Sequence, residues 1–85
     1  MKSIDGNLYR KYLNEVVQEA LRYSNGTKSG THHYLMDKPE PGRFSRHRAE
    51  KSKALHEARQ AFNEHRHWPL EIILSHLGIE LEETI

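Results

Sequence analysis

The 85-residue chain has no cysteine, which excludes disulfides, thiolate metal sites and a thiol nucleophile. Nowhere does it have the roughly 18 consecutive apolar residues that a bilayer-crossing helix needs, and its opening residues, MKSIDGNLYRK, hold no apolar segment of the signal-peptide kind. The expectation is a cytoplasmic protein with no membrane partner. Internal repeats and low-complexity tracts are missing. Prolines are few, at 39, 41 and 69, and each marks a place where a helix cannot run on. Neither sign of charge dominates, the net being +1 at neutral pH.

What is present is a polar composition, 29% charged and 35% hydrophobic, which suits a single soluble domain with little core to spare. A domain of this size buries only roughly 60% of the surface its unfolded chain exposes, which leaves no room for a deep, many-part active site. The small net charge hides an uneven distribution. Residues 1–31 carry +2, residues 32–60 carry +3 and residues 61–85 carry −4. A basic middle and an acidic end favour oriented docking over a uniform nucleic-acid footprint.

Periodicity points to an all-α fold, a small three-helix domain with one long central helix. The first helix covers about 8–23, with Asp5 or Asn7 as its cap. Leu8, Tyr9, Tyr12, Leu13, Val16, Val17, Ala20 and Leu21 recur there at spacings of three and four. Asn25-Gly26-Thr27 fits a glycosylation pattern but reads as the turn that ends this helix. Residues 24–44 show no helical period and read as a long linker or arm, far longer than the roughly 2–8 residues usual between packed helices. Within it, Thr31–Met36 is read as a short strand, with Ile79–Glu82 as its only plausible partner. Asp37-Lys-Pro-Glu-Pro-Gly42 then forbids helix.

The long helix is expected over 45–67, capped by Ser45 and stopped by Trp68 ahead of Pro69. A third helix follows over 69–77, opened by Pro69 and closed by Gly78, with Ile79 folding back on Leu74. The expected core is Tyr12, Leu13, Val16, Val17, Leu55, Ala58, Phe62, Trp68, Leu70, Ile73, Leu74 and Leu77.

Seven histidines raise the question of metal binding, but His47, His56 and His65 are spaced by nine and diverge around a helix, and adjacent His32 and His33 diverge in a strand. Only a site assembled from separate elements, such as His33 with His65 or His76, is left open, and the expectation is no metal and no cofactor. His56-Glu57 lacks the second histidine of a zinc-protease helix, and Gly26–Gly30 lacks the spacing of a phosphate-binding loop. The chain is therefore expected not to be an enzyme.

The clearest chemical signal is cationic charge at the start of the long helix. Arg46, His47 and Arg48 would sit in a first turn where each is unfavourable by about 0.3–1 kcal/mol, and such an end attracts anions. At 1.5 Å per residue the expected helices span roughly 34, 24 and 14 Å. On those lengths the basic third of the long helix overhangs the others, with only Ala49 to bury, and frays or awaits a partner.

The partner- or anion-binding set is therefore Arg43, Arg46, His47, Arg48, Lys51, Lys53 and Arg59. Arm contacts are expected from Lys28, His32, His33, Tyr34, Lys38 and Phe44. Two functions follow. The first is a small regulatory or inhibitory protein that docks on an acidic protein surface, a size class shared with phage accessory and host-takeover factors. The second is DNA or RNA binding by the same basic helix face, with Tyr34 or Phe44 stacking on bases. A homo-oligomer is compatible with either.

Overall fold

The structure is a computed structural model that describes residues 4–80. Among these the chain forms four helices, α1 (Gly6–Tyr23), α2 (Lys28–Asp37), α3 (Arg48–Glu64) and α4 (Leu70–Leu77), so the all-α class holds. None is long and apolar enough to cross a membrane.

α1 starts where Asp5 accepts hydrogen bonds from the backbone N–H groups of Asn7 and Leu8, satisfying two donors that the first turn leaves unpaired. Leu13, Val16, Val17, Ala20 and Leu21 form its buried stripe. Gln18 is buried with them, and its amide donates to the Glu80 carbonyl at 2.7 Å. The helix ends in a left-handed residue, Asn25 (φ 56°), while the Gly26 N–H reaches back to the Leu21 carbonyl at 2.8 Å. The N-G pair thus closes a helix, as its chemistry implies.

α2 overturns the expected linker. Residues 28–37 are helical, which makes four helices instead of three and removes the expected strand at Thr31–Met36. Of its expected partner, Ile79 and Glu80 are not strand, and Leu81 and Glu82 lie outside the described residues. Thr27 caps α2 by accepting from the Gly30 N–H, and Thr31 and Leu35, one turn apart, form its buried face. Leu35 is fully buried, a contribution of about 2 kcal/mol relative to exposure.

α3 is shorter at both ends than the expected 45–67. His47, in the left-handed region (φ 54°), precedes its first turn, and the turn at 65–67 leads to Trp68. Ala54, Leu55, Ala58, Ala61 and Phe62 are its buried residues. α4 ends as expected at Gly78 (φ 73°), with the Ile79 N–H bonded to the Leu74 carbonyl at 2.8 Å and the Gly78 N–H to Ser75 at 3.0 Å.

α1 packs on α3 and α2, and α4 packs on α3, around Val17, Thr31, Leu35, Phe62, Ile73 and Leu74. Of the expected core, Tyr12, Trp68, Leu70 and Leu77 are only half-buried, packed against its edge. Ile79 joins the buried set.

The basic start of α3 is not an overhang. α1 has 18 residues and α3 has 17, so the two are matched at roughly 26 Å and α1 flanks the basic end. The Asp5 N–H donates to Glu50 at 3.0 Å, and the Tyr12 hydroxyl shares a hydrogen bond with His47 Nδ1 at 2.8 Å. Lys51 lies 5.3 Å from the Tyr12 ring centroid and Lys53 4.7 Å from that of Tyr9. Only Arg48 of the three expected cations occupies the first turn, and Glu50 in the same turn offsets it.

Candidate functional site

The segment between α2 and α3, residues 38–47, is an arm held at both ends. Pro39 and Pro41 keep its first half out of helix. Glu40 is bound there by His56 and by Arg59 Nη1, and Lys38 Nζ sits 3.6 Å from Glu19. At the far end Lys51 Nζ donates to Ser45 Oγ at 3.2 Å, and His47 meets Tyr12. Between these anchors Arg43 and Phe44 form the tip, and Phe44 is 94% exposed. Arg46 and Arg48 are exposed beside it.

Next to the arm, the face of α3 turned away from the core forms an open groove of about 680 Å³. Arg43 lines it from the arm, and Arg48, Ala49, Ser52, Lys53, His56, Glu57 and Gln60 line it from α3. Arg48, Ser52, His56 and Gln60 are spaced by four and form one ridge, while Ala49, Lys53 and Glu57 form the next. Three cations gather at the N-terminal end of the groove and one carboxylate lies further along. Burial and the nearby Glu57 charge push the Tyr9 hydroxyl above its ordinary pKa, placing Glu57 close to the start of α1.

The structure divides the expected binding residues into two groups. Arg43, Phe44, Arg46 and Arg48 face solvent, and Lys53 is exposed although it lies over Tyr9. The others are engaged within the molecule by hydrogen bonds, ion pairs or ring packing. Arg59, expected to meet a partner, closes the end of α2, with Nε donating to the Leu35 carbonyl at 2.7 Å and Nη2 to that of Lys38. Lys28 Nζ donates to the Arg66 and Trp68 carbonyls at 2.6 and 3.0 Å, tying α2 to the turn after α3. His47 and Lys51 pack on Tyr12, and Lys38 lies over the Tyr34 ring.

His33 pairs with Asp37 on α2 at 2.9 Å, and His32 lies against Phe62 with its Nε2 buried and unpartnered. The Tyr34 hydroxyl donates to Glu19. That bond raises the Tyr34 pKa to about 12 and, aided by Lys38, lowers that of Glu19. Glu40 is likewise held below the usual carboxylate range, first by the His56 hydrogen bond and then by the His56 and Arg59 charges.

Ala49, Ser52, His56, Glu57 and Gln60 were not among the expected site residues. Their only sequence signal is position, since they lie on the side of α3 opposite Ala54, Leu55, Ala58 and Phe62. His33, left open as a ligand with His65 or His76, pairs instead with Asp37, while His65 and His76 meet each other with ring centroids 5.0 Å apart and His65 stacks on Trp68 at 3.7 Å. Among the described residues no three His, Cys, Asp or Glu side chains converge as a metal site would require.

Comparison with models of known families, with curated proteins and with solved structures found no match for this chain.

Proposed function

We propose that this is a small, non-enzymatic docking protein, regulatory or inhibitory in effect, that grips an acidic protein surface through Arg43, Phe44, Arg46 and Arg48. The observation that carries this reading is Phe44, 94% exposed at the tip of an arm anchored at both ends. Burying a phenylalanine contributes about 1.5–3 kcal/mol, and a domain with so small a core leaves this one in water. Phenylalanine and arginine are both enriched in the cores of protein interfaces. Because the arm is already braced, less ordering entropy is lost when it binds.

Nucleic acid is the second reading, because Phe44 and three arginines could equally stack on bases and contact phosphates. The net charge of +1 and the presence of Glu57 in the adjoining groove favour a protein partner. Affinity capture from lysate with the full chain tests the choice. Wild type is expected to retain an acidic protein that survives nuclease treatment, and Phe44→Ala and Arg46→Glu are each expected to lose it. Retention by Phe44→Ala would overturn the reading, and release by nuclease would replace it with the second.

A further inference from the structure

We infer that the outward face of α3 seats an acidic α-helix of the docking partner, its carboxylates meeting Arg43, Arg48 and Lys53. This rests on the docking reading above and names the element that would lie beside the arm. The groove is open and runs along α3 without closing around a small ion, which suits a macromolecular segment. A peptide that binds by strand addition needs a sheet edge to pair with, and the described residues contain no strand.

A helix needs no such edge. Ala49 and Ser52 have short side chains, which lets a second helix approach to the usual 8–10 Å between axes. The ridge from Arg48 to Gln60 covers 13 residues, roughly 18 Å from first to last or about three turns of a partner helix.

Charge sets which part of that helix goes where. Arg43, Arg48 and Lys53 gather at the N-terminal end of the groove, with Glu57 one turn beyond Lys53. A helix carrying two or three carboxylates over Ala49 and Ser52 and a cation opposite Glu57 is complementary, and the reverse arrangement places like charges together. His56 is held by Glu40 and Arg59 is spent on α2, so neither competes for the incoming carboxylates.

The probe is a fluorescein-labelled, alanine-rich 20-residue model helix with glutamates on adjacent turns of one face, compared by anisotropy with its lysine counterpart. The full-length protein is expected to prefer the glutamate peptide by at least about fivefold at 50 mM salt, with the preference shrinking at 500 mM. The Arg43→Glu/Arg48→Glu double variant should reverse the preference. Ala49→Trp, which fills the groove without changing charge, should abolish binding of the glutamate peptide, while Ser75→Ala, on α4 and outside the groove, should leave the preference within about twofold. All four substituted positions are exposed, and circular dichroism is the check that each variant folds.

Equal binding of the two peptides, unchanged binding by Ala49→Trp, or tighter binding of a labelled single-stranded RNA than of the glutamate peptide would each overturn the assignment. If the peptides fail while Phe44-dependent capture persists, the groove assignment falls and the docking reading stands.

Discussion

Arg59 and Tyr34 show how a surface-type residue becomes structural once its neighbours are known. The Arg59 guanidinium satisfies carbonyls at the end of α2 and also meets Glu40. Truncation leaves those acceptors without a donor, so Arg59→Ala should cost about 1–3 kcal/mol in urea unfolding, and Arg59→Lys should recover only part because an ammonium cannot match the planar fork. The Tyr34 pKa is pushed up to about 12, first by the hydrogen bond its hydroxyl donates to Glu19 and then by burial. A raised folded-state pKa stabilises fully below the unfolded value of about 10 and is lost as pH rises through 12. Ultraviolet titration should show a late tyrosine step that vanishes in Tyr34→Phe. Residue type alone revealed that Arg59 and Lys28 are cationic. It could not show that both would be turned inward on carbonyls more than 20 positions away in the chain.

At the level of the element, α2 was the largest departure from the sequence reading. A helix becomes legible through repeated apolar residues, and α2 buries one threonine and one leucine, so its period is nearly silent. Its stability comes from elsewhere: Thr27 at its start, Arg59 at its end, and the Thr31 hydroxyl, which donates to the Thr27 carbonyl at 2.6 Å and contacts Ser24 Oγ at 2.8 Å. Gly30 belongs to the same arrangement. A Cβ there would lie 2.6 Å from Ser24 Cβ and from Thr27 Oγ1. Although alanine ordinarily favours helix, Gly30→Ala should therefore destabilise the protein by about 1–3 kcal/mol in thermal or urea unfolding. Thr27→Ala should cost about 1 kcal/mol through loss of the cap. The start of α3 was misread for a related reason: its support from Tyr9 and Tyr12 lies across the helix pair, not along the chain.

For the whole molecule, the carboxylates that bind elements together are expected to contribute to the loss of stability in acid. Glu19 joins α1 to α2 and the arm, Glu40 joins the arm to α3, and both are held below the ordinary carboxylate pKa. Depressed folded-state values give stability that is present above the unfolded pKa of about 4.3 and lost as pH falls through the folded values. Unfolding free energy followed by urea titration should therefore stay level from neutral pH to about 5 and then fall. The Glu19→Gln/Glu40→Gln double variant should be less stable at neutral pH and flatter below 5.

The all-α class, a cap at Asp5 or Asn7 of which the structure uses Asp5, the closing turns at Asn25-Gly26 and Gly78, and the buried stripes of α1 and α3 were legible because they depend on residues within a turn or two of each other. The charge asymmetry along the chain was legible for the same reason. Tertiary structure alone decided that residues 28–37 would be helix, that Arg59 and Lys28 would turn inward, and that Phe44 would stand exposed between two anchors. Each of these depends on groups far apart in sequence, whose meeting is set by packing of the whole core and leaves no local pattern to read.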